Sequence, residues 1–372
     1  MSTGALHGLT VVDFSRVLAG PYATMLLGDF GADVIKIERP RVGDDTREWG
    51  PPYDRDGVTT YFNAVNRNKR SLVLDLTDPG DAARARDLVA GADIVVENFR
   101  PGTMEKLGLG YESLRAIKPD LIYCAITGFG RDGGADLPGY DLLVQAVGGL
   151  MSITGPQPGE PTKVGVAVID VLAGLHALTG ILAALAHRHR TGEGQRVDTS
   201  LLSVLLSSMV NQASAFIGAG TVPGIMGNRH PSIAPYQTFS TADRPIALAV
   251  GNDKQFRLLA EALELDALAT DERFTSNALR VQNRDALCTI LNSRFIQHGA
   301  DRWYGVLTSV GVPAGPINDM AEAFAFAEEL GLTTTVAVPG STTPQVANPI
   351  GMSATPPTYR SAPPRLGQDS PR

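Results

Sequence analysis

The chain has 372 residues and a formal net charge of −7, with 43% hydrophobic and 19% charged residues. Those proportions belong to a globular protein with room for one large domain or two ordinary ones, not to a disordered chain. The acidic balance argues against a nucleic-acid partner, which needs a basic face. Two cysteines, Cys124 and Cys288, cannot make a disulfide framework, and no CxxC or Cys/His cluster suggests a metal.

Thr10 to Phe14 is a short β-branched run and reads as a strand. Pro21 to Phe30 suits a helix, and Ala32 to Ile37 a second strand, which makes a right-handed β-α-β unit. The pattern recurs with a strand at Ser71–Leu76, a helix from about Asp81 to Ala90 and a strand at Asp93–Val96. Leu121 to Ile126 adds another strand, and Cys124 inside it reads as a buried structural thiol. An α/β fold follows: a Rossmann-like, mostly parallel sheet covered by helices, filling a large domain over residues 1–210.

Ligands of such sheets bind outside the carboxyl ends of the strands. The residues expected there are Ser15-Arg16, Glu38-Arg39, Glu97-Asn98-Phe99-Arg100 and Thr127-Gly128-Phe129-Gly130. No GxGxxG follows the first strand, which disfavours an ordinary NAD or FAD site.

Val164 to Ala186 is apolar and long enough to span a bilayer. Asp170 and His176 inside it would be costly in lipid, so it reads as a buried strand end running into a buried helix. Without a secretory leader pattern or a membrane span, the expected location is the cytoplasm. Further on, Phe239 to Val250 suggests a hairpin, and helical periods appear at Gln255–Leu263 and Asn283–Phe295. Residues 225–325 therefore read as a smaller α+β domain. The tail after about Thr333 is rich in Pro and Thr and reads as an extended wrap.

Three features could carry chemistry. Asp170 stands between an apolar run and a helical pattern of Leu172, Leu175, Leu178, Leu182 and Leu185, where a helix cap belongs. It reads either as a plain cap or as a nucleophilic carboxylate on a rigid element, with small neighbours that admit a bulky thioester. The cations Arg16, Lys36, Arg39, Lys69, Arg70, Arg100 and Lys106 all fall in the first third and, taken as a set, favour a phosphorylated ligand over a solvated face. His230, in Gly227-Asn228-Arg229-His230-Pro231, could be a base, but a turn histidine is the more common case.

Ordered motifs then add up. They are Asp13-Phe14-Ser15-Arg16-Val17-Leu18-Ala19-Gly20-Pro21, Gly31 to Glu38, Asn66 to Ser71, and Glu97 to Gly102. Gly139-Tyr140-Asp141, Asp170, Gly192 to Leu201 and the Gly-Asn-x-His-Pro loop complete them. Over nearly its whole length the chain resembles the class III (CaiB/BaiF-type) CoA-transferases, a family that also holds α-methylacyl-CoA racemases. The resemblance implies a large domain completed by both chain ends, residues 331–372 returning to it, and an interlocked homodimer with sites between large and small domains. It implies an acyl-CoA:carboxylate CoA-transferase with Asp170 as nucleophile, coenzyme A thioesters as substrates, and no permanently bound cofactor or metal. Matching positions place Arg16, Val17, Arg39, Leu74, Asn98, Phe99, Lys106 and Tyr140 at the CoA site.

The chain departs from the family in places. Leu18 stands where some oxalate-using members carry Gln, and no Gly-rich flap appears between Tyr236 and Gly251, which disfavours formyl or oxalyl specificity. Gly367-Gln368-Asp369-Ser370 replaces the usual Gly-Gln-His-Thr, without the customary terminal helix after it. Racemase members carry Gly-His-Asp at Gly139-Tyr140-Asp141, so a 2-methylacyl-CoA racemase is the alternative and transferase the favoured reading.

Overall fold

A computed structural model describes residues 4–371. The chain forms two compact units. The larger takes the chain up to Leu150, then Lys163–Val222 and the segment from Thr333 onward; the smaller takes Met151–Thr162 and Pro223–Leu332.

The larger unit begins with β1 (Thr10–Asp13), α1 (Ala19–Asp29), β2 (Asp33–Glu38), β3 (Lys69–Val73), α2 (Pro79–Ala90), β4 (Ile94–Glu97) and β5 (Ile122–Thr127). It continues with α3 (Asp141–Val147), α4 (Val168–Thr191), β6 (Gln195–Ser200), α5 (Leu201–Ser208) and α6 (Val210–Ala219). All six strands are parallel, in the order β3-β2-β1-β4-β5-β6. β4 and β5 are buried along their whole length, as strands covered on both faces must be. The sheet reverses its direction of growth between β1 and β4, which opens a crevice at their carboxyl ends.

The five strands read from sequence are present, and β6 is an addition. Its sequence, Gln-Arg-Val-Asp-Thr-Ser, lacks an apolar run because it is a half-exposed edge strand. β3 starts two residues earlier than expected, since Lys69 turns inward.

Charge lies inside this unit. Lys69 Nζ sits 3.1 Å from Asp13, and Lys36 Nζ sits 2.8 Å from Asp44, with all four side chains fully buried. Ser15 and Thr24 hydroxyls also donate to Asp13, and Lys36 donates to the Ser15 carbonyl. Burial pulls Lys69 down to about 8. Lys36 and Lys69 are thus structural, and Arg70 pairs with Asp33, which corrects the reading of these three as ligand cations. Asp13→Ala strands the buried Lys69 ammonium, while Lys36 keeps Asp44. It is expected to cost about 3–5 kcal/mol, read as a fall in the urea midpoint.

Helix α4 is long and apolar enough to cross a membrane by length and composition, with a mean hydropathy of 2.0. Its face of Ala173, Gly174, Ala177, Leu178, Ile181 and Ala184 is buried in the large unit's core. A Cβ on Gly174 would come within 2.7 Å of the Ala19 carbonyl, so α1 and α4 pack too closely for any side chain there. The expected strand end at Val164–Ile169 does not form: the chain bends at Gly165 and Val166, with Val166 exposed, and Val168 and Ile169 already belong to α4. The tail seals the outer edge of the sheet. Ser71 N–H donates to Asp369 and Val73 N–H to Ser370, while Arg360 donates to the carbonyls of Gly28, Gly31 and Ala32.

In the smaller unit, β7 (Tyr236–Phe239) and β8 (Ile246–Ala249) form the expected antiparallel hairpin. β9 (Ala314–Pro316) joins β8, and helices Asp253–Ala262, Arg284–Phe295 and Ala300–Ser309 bury Phe256, Leu259, Leu291, Phe295 and Trp303 with the sheet.

Candidate active site

The loop after β1 and the turn after β4 face each other at the crevice. Asn98 locks them: its Nδ2 donates to the Arg16 carbonyl at 2.7 Å, and Arg16 N–H donates to its Oδ1 at 2.8 Å. Val17 is held at φ +69°, a left-handed conformation that costs a β-branched residue energy and that clusters at functional sites. Its N–H donates to Asp44, the carboxylate that Lys36 neutralises. The buried ions thus brace a strained loop.

The Arg16 guanidinium lies 4.9 Å from the Phe99 ring centre and pairs with Asp45, to which Arg39 also bonds. Glu97, which burial pushes up to about 7, accepts the Phe99 N–H and shapes the turn. Arg16, Val17, Asn98 and Phe99 are brought together at the crevice, and Arg39 joins Arg16 through Asp45. Leu74 is buried in the core beneath, while Lys106 is exposed at the end of the Thr103–Lys106 helix. Tyr140 precedes α3 and is 60% exposed.

Asn98, Phe99 and Arg100 share a cavity with Gly128, Gly139 and Asp170. A Cβ on Gly128 would approach Gly139 Cα to 2.4 Å, so two bare backbones meet in this wall and leave room in front of Asp170. Asp170 is the third residue of α4, not its cap; Ala167 holds that place and offers no side-chain bond. The capping carboxylate comes from elsewhere. Asp141 accepts the N–H groups of Ile169 at 2.7 Å and Asp170 at 3.3 Å through one oxygen. Its other oxygen accepts from Gln145, whose carbonyl oxygen takes the Val164 N–H at 2.9 Å. The first turn of α4 therefore brings Asp170 to the cavity with its own carboxylate uncommitted.

Burial first, and the Asp141 charge second, push Asp170 up to about 7. Tyr61, from the Thr60–Ala64 helix, is pushed up to about 12 by burial and then by Asp170 and Asp141. Sequence reasoning missed the clamp at Gln145 and the proximity of Tyr61, since neither residue has a motif of its own; Asp141 was visible only as part of Gly139-Tyr140-Asp141. His230 is a turn histidine: its Nδ1 accepts the Ser232 N–H and its ring packs on Tyr236. Among the described residues no group of three or more His, Cys, Asp or Glu is arranged to hold a metal.

Residues 6–370 match the family described as CoA-transferase family III. The chain is 45% identical to a succinate–glutarate CoA-transferase of Agrobacterium fabrum, over 98% of this chain and 93% of that protein. It is 43% identical to an acetyl-CoA:oxalate CoA-transferase of Acetobacter aceti, over 86% and 82%. A crystal structure of a CaiB/BaiF family protein from Brucella suis superimposes with a TM-score of 0.89 at 44% identity, covering 99% of this chain and 98% of that one.

Proposed function

The chain belongs to CoA-transferase family III, and from that premise we propose that it passes coenzyme A from succinyl-CoA to a dicarboxylic acid through an aspartyl intermediate on Asp170. The observation that carries this reading is the uncommitted, half-buried carboxylate at the start of α4, open to a cavity beside Asn98 and Phe99. A group at about 7 is ionised often enough to attack, and more nucleophilic than an ordinary aspartate.

The Asp170 carboxylate attacks the donor carbonyl, forming a mixed anhydride and expelling CoA thiolate. The thiolate then attacks the aspartyl carbonyl, giving an aspartyl-CoA thioester and the free donor acid. The acceptor carboxylate attacks that thioester, and the expelled thiolate attacks the acceptor carbonyl of the new anhydride. Acceptor-CoA leaves and Asp170 is restored. Thioester energy is conserved throughout, so the cycle calls for no ATP. Water must be kept out, because either acyl intermediate would hydrolyse.

The CoA site in this reading comprises Arg16, Val17, Arg39, Leu74, Asn98, Phe99, Lys106 and Tyr140, supported by the assembly of four of them at the crevice. A homodimer is part of the proposal. It is supported by Val210, Phe216, Ile217 and Val222, which are 56–82% exposed on and after α6 and form an apolar face on this chain. The cytoplasm, where CoA thioesters are made and consumed, is the proposed location.

The test is a matrix of donors against acceptors. Succinyl-CoA with glutarate should exceed acetyl-CoA with a monocarboxylate in kcat/KM by about tenfold or more. Oxalate belongs in the panel because one relative is named for it. No transfer with any donor would overturn the reading.

A further inference from the structure

We infer that Gln145 is a positioning residue for the nucleophile: its buried amide ties Asp141 to the segment that leads into α4, and so fixes where Asp170 sits. The inference rests on the reading of Asp170 as the nucleophile.

Gln145 is fully buried on α3, one helical turn after Asp141. Its amide nitrogen donates to Asp141 Oδ2 and its amide oxygen accepts the Val164 N–H. The opposite oxygen of Asp141 holds Ile169 and Asp170 by their N–H groups. One turn of α3 therefore grips the approach to the catalytic helix at both ends, Val164 and Asp170. Nothing local would do this, because the residue at the cap position of α4 is an alanine.

The position demands an amide. It must donate to a carboxylate and accept from an N–H at once, without bringing a charge into a buried place. A leucine side chain would fill the space and leave both partners unserved. A carboxylate would serve Val164 but face Asp141 with a second anion, unless it carried a proton.

That last property makes the test sharp. In Gln145→Glu the introduced carboxyl, while protonated, reproduces the amide: its O–H donates to Asp141 and its carbonyl accepts from Val164. Once ionised, the same group breaks the clamp. Gln145→Glu should therefore keep kcat within about threefold of wild type at pH 6 and lose about tenfold or more against it at pH 8.5, with KM for acyl-CoA steady. Gln145→Leu should lose about tenfold in kcat at both pH values. The ionisable groups coupled to Asp170 are Asp141 on α3 and Tyr61 on the Thr60–Ala64 helix, and both variants leave them in place.

A carbon-13 titration of the Asp170 carboxyl, assigned by difference against Asp170→Asn, reads the clamp without turnover. Its midpoint should move by about half a pH unit or more in Gln145→Leu. If Asp170→Asn still transfers CoA, the nucleophile reading falls, while the titration continues to report on the clamp. Folded variants with wild-type kcat at both pH values, or with an unmoved midpoint, overturn the inference.

Discussion

Replacing Asp170 by Asn or Ala lowers CoA exchange by about a thousandfold or more while the protein melts at or above the wild-type temperature. The chemical half of this expectation follows from the proposed route, in which every bond made to substrate passes through the Asp170 carboxyl. An amide cannot form the anhydride, and a methyl group offers nothing at all. The stability half follows from the site. Among the described residues the Asp170 carboxylate has no hydrogen-bond or ion-pair partner, and it faces Asp141 across a partly desolvated space. Removing an uncompensated charge of that kind relieves the fold.

The same carboxylate fixes the pH dependence. Attack requires the ionised form, and burial with the Asp141 charge holds the carboxyl at about 7. Transfer in the wild type should therefore fall as pH drops below about 7, approaching tenfold per pH unit, where an ordinary aspartate would stay active to about 4. Mass spectrometry after acyl-CoA alone should find a hydroxylamine-sensitive adduct on the peptide with Asp170. Appreciable transfer by Asp170→Ala would move the nucleophile elsewhere.

The sheet was legible because its strands are apolar and parallel, and Val11, Val95 and Tyr123 announce burial on both faces. β6 was not, because an edge strand can be built from Gln195, Arg196 and Asp198. Lys36 and Lys69 misled for a related reason. A lysine's sequence context does not reveal that Asp13 and Asp44, brought in by the fold, will neutralise it in the interior. The position of Asp170 on a helix start was readable, yet its office was not: a carboxylate before a helical pattern looks like a cap, and only the fold brings Asp141 to take that task. The residues that hold Asp170 in place are thus less visible than Asp170 itself, since their effect depends on tertiary contact.

Incubated in D₂O with a chiral 2-methylacyl-CoA, the wild-type protein should incorporate no deuterium at the α-carbon and leave optical purity unchanged, while still exchanging CoA with a free acid. Racemisation needs a base on each face of the α-carbon so that a proton can leave one side and return on the other. Where racemase members carry a histidine this chain has Tyr140, and a phenol is a poorer proton acceptor at neutral pH than an imidazole. Tyr140 is also 60% exposed, away from the desolvated setting that would sharpen a base. A second base is no easier to find. Asp253, the carboxylate that a Tyr140→His variant would have to recruit, is already occupied at 2.8 Å by the fully buried guanidinium of Arg280. Tyr140→His alone should therefore gain at most a slow one-sided exchange, seen as deuterium uptake with little loss of optical purity. Rapid α-deuteration by the wild type would replace transferase with racemase chemistry and leave the sheet, the cavity and the Asp141 clamp as they stand.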